Sequence, residues 1–327
     1  MRSTAITSFD PKRHGYPFDP AYGHDLDALT GVRAGPEPEG FEAFWRQRYG
    51  EALALETRPE IRDDGRFSSG HRRFDITYRS LGGVSIGGWL LLPESGSPWR
   101  ALVVTHGYGG REAPDDWLAW ADFALLFPCL RGFNRSQVTG VPDEAYGHVV
   151  HGIDDPHRYV LGGCVADVWC GVSALLRLFP KLFGHVGYAG TSFGGGIGAL
   201  AVPWDERVQR AHFEVPTFGH QRLRVSLPSV GSGHAAGQAF HRDPERVGRT
   251  LDFFDAAIAA RWLRVPTHFA CALFDPAVAP PGQWAVYNEA PEPKQLYVQE
   301  AGHFEYPAQQ QQAGELKAEL TAFFADL

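Results

Sequence analysis

Methionine and lysine are nearly missing from this 327-residue chain: there is one methionine, and lysine stands only at positions 12, 181, 294 and 317. The cationic side chains are therefore almost all arginine, and the formal net charge is −8. No stripe of clustered Lys and Arg runs along any segment, which argues against a phosphate-binding surface and against nucleic acid as a partner. No apolar run reaches the length of a membrane span, and Met1 to Asp10 contain no apolar h-region, so a cytoplasmic protein without a membrane partner is expected. Cysteine is scarce as well. Cys129, Cys164, Cys170 and Cys271 sit in apolar segments without metal-ligand spacing, which predicts buried free thiols, a Cys164–Cys170 disulfide being the alternative. Histidines do occur in loops, at His14 and His24 and again at His148, His151 and His157. With no third ligand, nearby cysteine or paired carboxylate at a suitable spacing, they are read as loop or interface histidines, and no metal is expected.

What the chain does contain is one stretch that organises the rest, His185 to Val202. Val186 to Ala189 is a short apolar strand, Gly190-Thr-Ser-Phe-Gly194 a sharp turn, and Gly195 to Ala201 a helix of small residues. This is the pattern of a nucleophile elbow, in which a strained turn exposes the Ser192 hydroxyl at a helix N-terminus. Gly83-Val-Ser-Ile-Gly87 matches the same short motif. Ser85 lies inside an alternating segment that runs on into Trp89 to Pro93, with no helix of small residues after it, and is read as a strand residue.

Around the elbow the hydrophobic period changes in an orderly way. Residues 1–40, rich in Pro, Gly, Asp and His, read as an extended arm, and Phe41 to Ala54 carries apolar residues at helical spacing. Phe74, Ile76 and Tyr78 alternate with polar residues, and Leu81-Gly-Gly83 turns the chain into Val84 to Pro93, an antiparallel hairpin at a sheet edge. Continuous apolar runs follow at 101–105, 123–127, 186–189, 208–216, 265–274 and 295–299, as expected of strands covered on both faces. Helices are expected at 117–121, 164–179 and near the C-terminus, where Leu316, Leu320, Phe323, Phe324 and Leu327 form an apolar face. Two segments break the pattern. The long insertion 133–161 is read as an interface loop, and the polar, irregular segment 217–250 as a lid or contact segment. Strands alternating with helices give an α/β fold: one domain with a mostly parallel sheet and helices on both faces.

In such a sheet the reactive groups sit at the carboxyl ends of the strands. Asp275 and His303 follow the last two strands, and the order Ser192, Asp275, His303 is that of an α/β-hydrolase. Ser192 is the candidate nucleophile, His303 the base that takes its proton, and Asp275 the acid that holds the imidazole tautomer. Asp252, Asp255 and Glu305 are rivals for the acid, His212 and His268 for the base. The Gly-rich loop His106-Gly-Tyr-Gly-Gly110, at the end of another strand, is placed to supply a second oxyanion N–H. Tyr108 and Pro216 are placed to wall off the acyl side of the pocket, as substrate-binding residues.

Together these residues resemble a known family, the acetyl xylan esterase and cephalosporin C deacetylase group, carbohydrate esterase family seven. The resemblance runs through Phe41-Glu-Ala-Phe-Trp45, Phe74 to Tyr78, Gly87 to Pro93, His106-Gly-Tyr108, Arg131-Gly132, the elbow, Glu214-Val-Pro216 and Gly302-His303. It implies an α/β-hydrolase fold and a serine esterase acting on small acetylated substrates such as acetylated xylo-oligosaccharides. It also implies Ser192, Asp275 and His303 as catalytic triad, the backbone N–H groups of Tyr108 and Phe193 as oxyanion hole, no cofactor, and a ring-like homo-oligomer formed through the segment after Arg131. The chain departs from the family pattern where Phe193 replaces Gln, where Phe133-Asn134 follows Arg131-Gly132, and where Phe304 separates His303 from Glu305. The alternatives are a broader acyl hydrolase or peptidase of the same fold, disfavoured by the absence of a preceding gating domain, and a non-catalytic binding relative, disfavoured by the intact triad.

Overall fold

The computed structural model describes residues 5–68, 70–94, 97–115, 120 and 122–327. Among these, nine strands form one sheet: β1 (Glu60–Ser68), β2 (His71–Ser80), β3 (Val84–Pro93), β4 (Arg100–Thr105), β5 (Phe123–Pro128), β6 (Val186–Thr191), β7 (Val208–Glu214), β8 (Thr267–Ala272) and β9 (Lys294–Gln299). Their spatial order is β1-β2-β3-β5-β4-β6-β7-β8-β9. The expected hairpin makes β2 and β3, with Leu81–Gly83 turning one into the other at the pair Ser80↔Val84, and β1 pairs with β2 to complete the antiparallel edge β1-β2-β3. The continuous apolar runs make the parallel part from β5 to β9. Along β4, Ala101 and Val103 enter one core while Leu102 and Val104 enter another. A strand buried on both faces reads as a near-continuous apolar run. The α/β-hydrolase fold expected from the sequence is therefore the one observed.

The helices are α1 (Leu26–Gly31), α2 (Phe41–Ala54), α3 (Ala145–His148), α4 (Val160–Leu178), α5 (Phe193–Ala201), α6 (Gln221–Arg224), α7 (Ser232–Arg242), α8 (Pro244–Phe253), α9 (Ala256–Ala260), α10 (Pro280–Glu289) and α11 (Gln309–Phe324). The larger core holds residues of α2, α4, α5, α9 and α10, and the smaller one lies under α11. Helix α4 corrects one expectation. By length and composition its 19 residues could cross a membrane, but 83 % of its most apolar stretch is buried inside the protein, so its hydropathy serves the core. It begins at Val160, ahead of the expected Cys164.

The segment 217–250 is a second correction, for it is largely helical rather than irregular. Asp243 caps α8 by accepting from the Arg246 N–H, with Pro244 in the first helical position. In α7 only Ser232, Gly233 and the small residues Ala235, Ala236 and Gly237 are buried, too little apolar surface to show as a periodic stripe. Strand β1 escaped notice because Arg62, Asp63, Asp64 and Arg66 leave it no apolar alternation. The helix expected at 117–121 falls outside the described residues, Trp120 excepted. All four cysteines are buried and free, with no disulfide. Burial pushes the thiol of Cys129 up, that of Cys170 to about 11, and those of Cys164 and Cys271 well up.

Beyond β5 the chain is anchored by the Arg131–Asp167 ion pair at 2.6 Å. Arg131 also donates to Ser80 Oγ and the Leu81 carbonyl. Leaving Asp167 buried without Arg131 would cost about 3–5 kcal/mol. The pair fixes where the segment after Arg131 leaves the sheet.

Candidate active site

Strand β6 ends at Thr191 and helix α5 starts at Phe193, so the single residue between them reverses the chain. Ser192 does this at φ 57° and ψ −114°, a strained conformation costing about 1–3 kcal/mol. Backbone bonds on three sides hold it there: the Ser192 N–H donates to the Glu214 carbonyl at 2.8 Å, and its own carbonyl accepts from Gly196 and Thr217 at 3.0 and 3.1 Å. Glycine is required beside it. A Cβ on Gly190 would lie 2.5 Å from the Gly194 carbonyl group, and one on Gly194 would lie 2.5 Å from Thr105 Oγ1.

His303 and Asp275 arrive on separate loops, beyond β9 and β8. His303 Nε2 is 2.9 Å from Ser192 Oγ, and Nδ1 is 2.8 Å from Asp275 Oδ2. An ionised carboxylate only accepts, so Nδ1 carries the proton and the Nε2 lone pair faces the serine. Asp275 is fully buried, and each of its oxygens has further donors: Oδ1 accepts from the Ala277 and Val278 N–H groups at 2.9 Å, and Oδ2 from Gln283 Nε2 at 3.0 Å. Burial pulls the His303 pKa down, but the Asp275 carboxylate, helped by Glu214, outweighs it and holds the imidazole above its ordinary value. The structure thus brings Ser192, His303 and Asp275 into one hydrogen-bonded relay.

The loop after β4 is held by a histidine of a different kind. The Leu130 N–H donates to His106 Nε2 at 3.0 Å, so Nδ1 is the protonated nitrogen and donates to the Gly107 carbonyl at 2.7 Å. Burial, then Arg111, pushes His106 down to about 3, so it stays neutral. Because the peptide is planar and trans, a Gly107 carbonyl held by His106 aims the Tyr108 N–H the opposite way. Gly107 lies against the serine, a Cβ there being 3.7 Å from Ser192 Cβ. The Phe193 N–H is among the first, unpaired donors of α5. Two backbone donors therefore stand beside Gly107 and Ser192, that of Tyr108 on the loop after β4 and that of Phe193 at the start of α5.

A cavity of about 370 Å³ opens onto these groups, lined by Tyr108, Ser192, Thr217, Ser232, Val278 and His303 among smaller residues. Tyr108 is on its wall as expected. Pro216 is not: it is buried against Gly195, and Thr217 takes its place on the lining. The reason is that β7 stops at Glu214 and Val215 turns at φ 39°, which carries Pro216 under the elbow helix. Phe193 points away from the cavity, fully buried among His106, Tyr108, Phe133, His148 and Phe218, with the Tyr108 ring stacked on it at 4.2 Å.

The rival residues are engaged elsewhere. Asp252 pairs with Arg222, Asp255 caps α9, Glu305 is exposed, and His212 and His268 face each other within the sheet with Nδ1 atoms 3.1 Å apart. Ser85 lies on β3, paired with Arg79. His148 Nε2 donates to the Arg131 carbonyl, His157 packs on Phe44, and His14 on Tyr16. Among the described residues no group of three or more His, Cys, Asp or Glu is arranged to hold a metal ion. Sequence reasoning missed two supports of the relay. Glu214 accepts from Thr191 Oγ1 and Gln299 Nε2 while facing His303, and Gln283, fully buried on α10, donates to Asp275. Glu214 stands in a motif that could have flagged it; Gln283 has no local signal.

A mostly parallel sheet, a strained serine between strand and helix, and acid and histidine beyond the last two strands define an α/β-hydrolase. The profile of the acetyl xylan esterase (AXE1) family matches residues 25–320, and the chain belongs to that family, which supports an esterase. The acetyl xylan esterase from Paenibacillus sp. R4 is similar in structure, with a TM-score of 0.79 at 24 % identity over 90 % of this chain and 99 % of that one. Acetyl xylan esterase 1 from Thermoanaerobacterium sp. JW/SL YS485 gives 0.77 at 21 % identity, over 91 % and 99 %. The acylaminoacyl peptidase of Pyrococcus horikoshii gives 0.58 at 15 % identity over 84 % of this chain but 42 % of its own, a likeness of fold.

Proposed function

We propose that the chain is a serine esterase that removes acetyl groups from acetylated carbohydrates or related small acetyl esters through an acyl-enzyme intermediate. The observation that carries this reading is the unbroken relay Ser192–His303–Asp275 at the edge of a cavity, in a chain of the acetyl xylan esterase family. In the reaction, His303 Nε2 takes the Ser192 proton as Oγ attacks the ester carbonyl carbon. The charge that develops on the carbonyl oxygen is met by the N–H groups of Phe193 and Tyr108. The tetrahedral species collapses, His303 protonates the departing alcohol, and acetyl remains on Ser192. Water, deprotonated by His303, then repeats the attack and releases acetate. Asp275 stays ionised throughout and stabilises the imidazolium.

The Tyr108 ring, backed by Phe193, supports a pocket suited to a short acyl group. The test is to compare wild type with Ser192→Ala on acetylated xylo-oligosaccharides and p-nitrophenyl acetate, with fluorophosphonate labelling of both. Release of acetate by wild type, with labelling confined to it, is expected. Activity retained by Ser192→Ala would overturn the serine mechanism, and release from p-nitrophenyl acetate without release from any acetylated sugar would overturn the carbohydrate substrate.

A further inference from the structure

Residues 1–24 precede the part of the chain that matches the family profile, and from Ala5 to His24 they form neither helix nor strand. A segment without regular structure frays unless it is tied down. This one is tied at three places, each of which includes a contact to the loops that carry Asp275 and His303.

At its start, Thr7 Oγ1, the Ser8 N–H and Ser8 Oγ donate to the two carboxylate oxygens of Glu300 at 2.8, 2.9 and 2.6 Å. Glu300 is 2 % exposed and stands three residues before His303. In the middle, Phe9 packs edge-on against Phe274 and beside Phe304, both with ring centres at 5.3 Å. Those two phenylalanines are the chain neighbours of Asp275 and His303. With Ile6, Ala301, Tyr306 and Ala308 they make a third apolar cluster, distinct from the two on the faces of the sheet. At its end, the Asp275 N–H donates to the Pro20 carbonyl at 3.0 Å, and the Tyr22 hydroxyl donates to the Pro228 carbonyl at 2.7 Å. Val230, two residues on, donates in turn to the Pro276 carbonyl.

The two loops themselves share little regular structure. His303 sits at φ 47°, and the backbone bond from Gly302 to the Phe274 carbonyl joins the loops at 2.8 Å. The sheet ends three residues before Asp275 and four before His303, so the relay distances depend on what packs outside the loops.

We infer that residues 5–24 are a positioning element for the Asp275–His303 pair, a clamp that holds the two loops at hydrogen-bonding distance. The inference rests on the reading of Ser192, His303 and Asp275 as the catalytic relay. The arm contributes no group to the reacting atoms; it acts through the acid and the base.

The test uses full-length variants and p-nitrophenyl acetate. Phe9→Ala removes the ring that joins the two loops, and Thr7→Val/Ser8→Ala removes two of the three bonds to Glu300 without touching an aromatic contact. Phe9→Leu keeps apolar volume. The readouts are kcat, KM, the acid limb of the pH–rate profile and the thermal melting midpoint. The charged groups facing His303 are Asp275 and Glu214, and Asp275 is faced by Tyr22 from the arm. A displacement of about 1 Å in the relay costs roughly a hundredfold in rate. In Phe9→Ala, kcat should therefore fall about ten- to a hundredfold, with KM little changed. The acid limb should move to lower pH as Asp275 loses its hold on the imidazole, and Phe9→Leu should recover most of the rate. The Thr7→Val/Ser8→Ala variant should change in the same direction. An unshifted acid limb with wild-type kcat in both arm variants, or a loss of rate that only follows loss of folded protein, would overturn the inference. Arm variants with wild-type kinetics beside an inactive Ser192→Ala would sink the clamp alone, whereas an active Ser192→Ala would sink the relay on which it rests.

Discussion

Replacing Asp275 by asparagine keeps the shape of the side chain and removes its charge, and the surroundings leave the amide no good orientation. Every partner of the carboxylate is a donor: Ala277 N–H and Val278 N–H on Oδ1, Gln283 Nε2 and His303 Nδ1 on Oδ2. If the new NH₂ faces His303, the imidazole must present Nδ1 as acceptor and so carries its proton on Nε2, where it cannot take one from Ser192. If the NH₂ faces the two backbone groups instead, donors oppose donors. Gln283 cannot relieve this by turning over, because its Oε1 accepts from Ala272 N–H at 2.8 Å and its Nε2 also donates to the Val278 carbonyl at 2.7 Å. A buried donor left without a partner costs about 1–3 kcal/mol. The wrong tautomer alone is worth about 10⁴ in rate where a triad of this type has been altered in the same way. Asp275→Asn should therefore lower kcat/KM on p-nitrophenyl acetate by about 10³–10⁴, or about 4–5.5 kcal/mol of barrier, and lower the melting midpoint. A variant within tenfold of wild type, folded and uncontaminated, would refute the role given to Asp275.

Four further outcomes are expected. Ser85→Ala should leave ester hydrolysis largely intact, and a loss equal to that of Ser192→Ala in a folded protein would undo the distinction between the two motifs. Because His303 must be neutral to act and its pKa is raised, kcat/KM should fall with falling pH through a midpoint above about 6.5; a flat profile down to pH 5 would exclude it as base. The same shift has the opposite sign for stability, since the protonated pair stabilises the fold below about 6.5 and that increment disappears as pH rises through the folded value. On p-nitrophenyl esters the rate should drop about tenfold or more from acetate to butyrate, because overfilling a closed pocket costs about 1–3 kcal/mol; faster hydrolysis of butyrate would contradict a short acyl pocket. Phe193→Ala should destabilise the protein by about 3–5 kcal/mol, read as a drop in melting midpoint, since five rings pack on a fully buried side chain.

What was legible in the chain divides along a physical line. The elbow could be found because its glycines are demanded by contacts within a few residues, Gly190 against Gly194, so the constraint is written locally. The parallel strands were visible for a related reason: burial on both faces makes the central positions of β4 and β5, Ala101 to Val104 and Phe123 to Phe127, a continuous apolar run, and most of β8 is apolar as well. Asp275 and His303 followed from placement at strand ends. Helix α7 buries small residues, Ala236 among them, and α10 buries the consecutive run Pro280 to Val286, Gln283 included, rather than one face at helical spacing, so both leave little periodic trace. Pro216 was misplaced because the turn at Val215 depends on contact between β7 and the elbow, which no local pattern encodes. The bond from Asp275 to Pro20 spans most of the chain and could be read only from the fold.

The four buried cysteines have a practical corollary. Thiol reagents attack the thiolate, and burial raises the pKa of every one of these side chains, so reactive sulfur is scarce near neutral pH in the native protein. They are spread over the body of the molecule, in α4, on β8 and just past β5. Alkylation therefore reports the opening of the interior. Pulse-labelling followed by mass analysis of each site would separate local breathing near α4 from cooperative unfolding of the sheet, with no probe introduced and no side chain replaced.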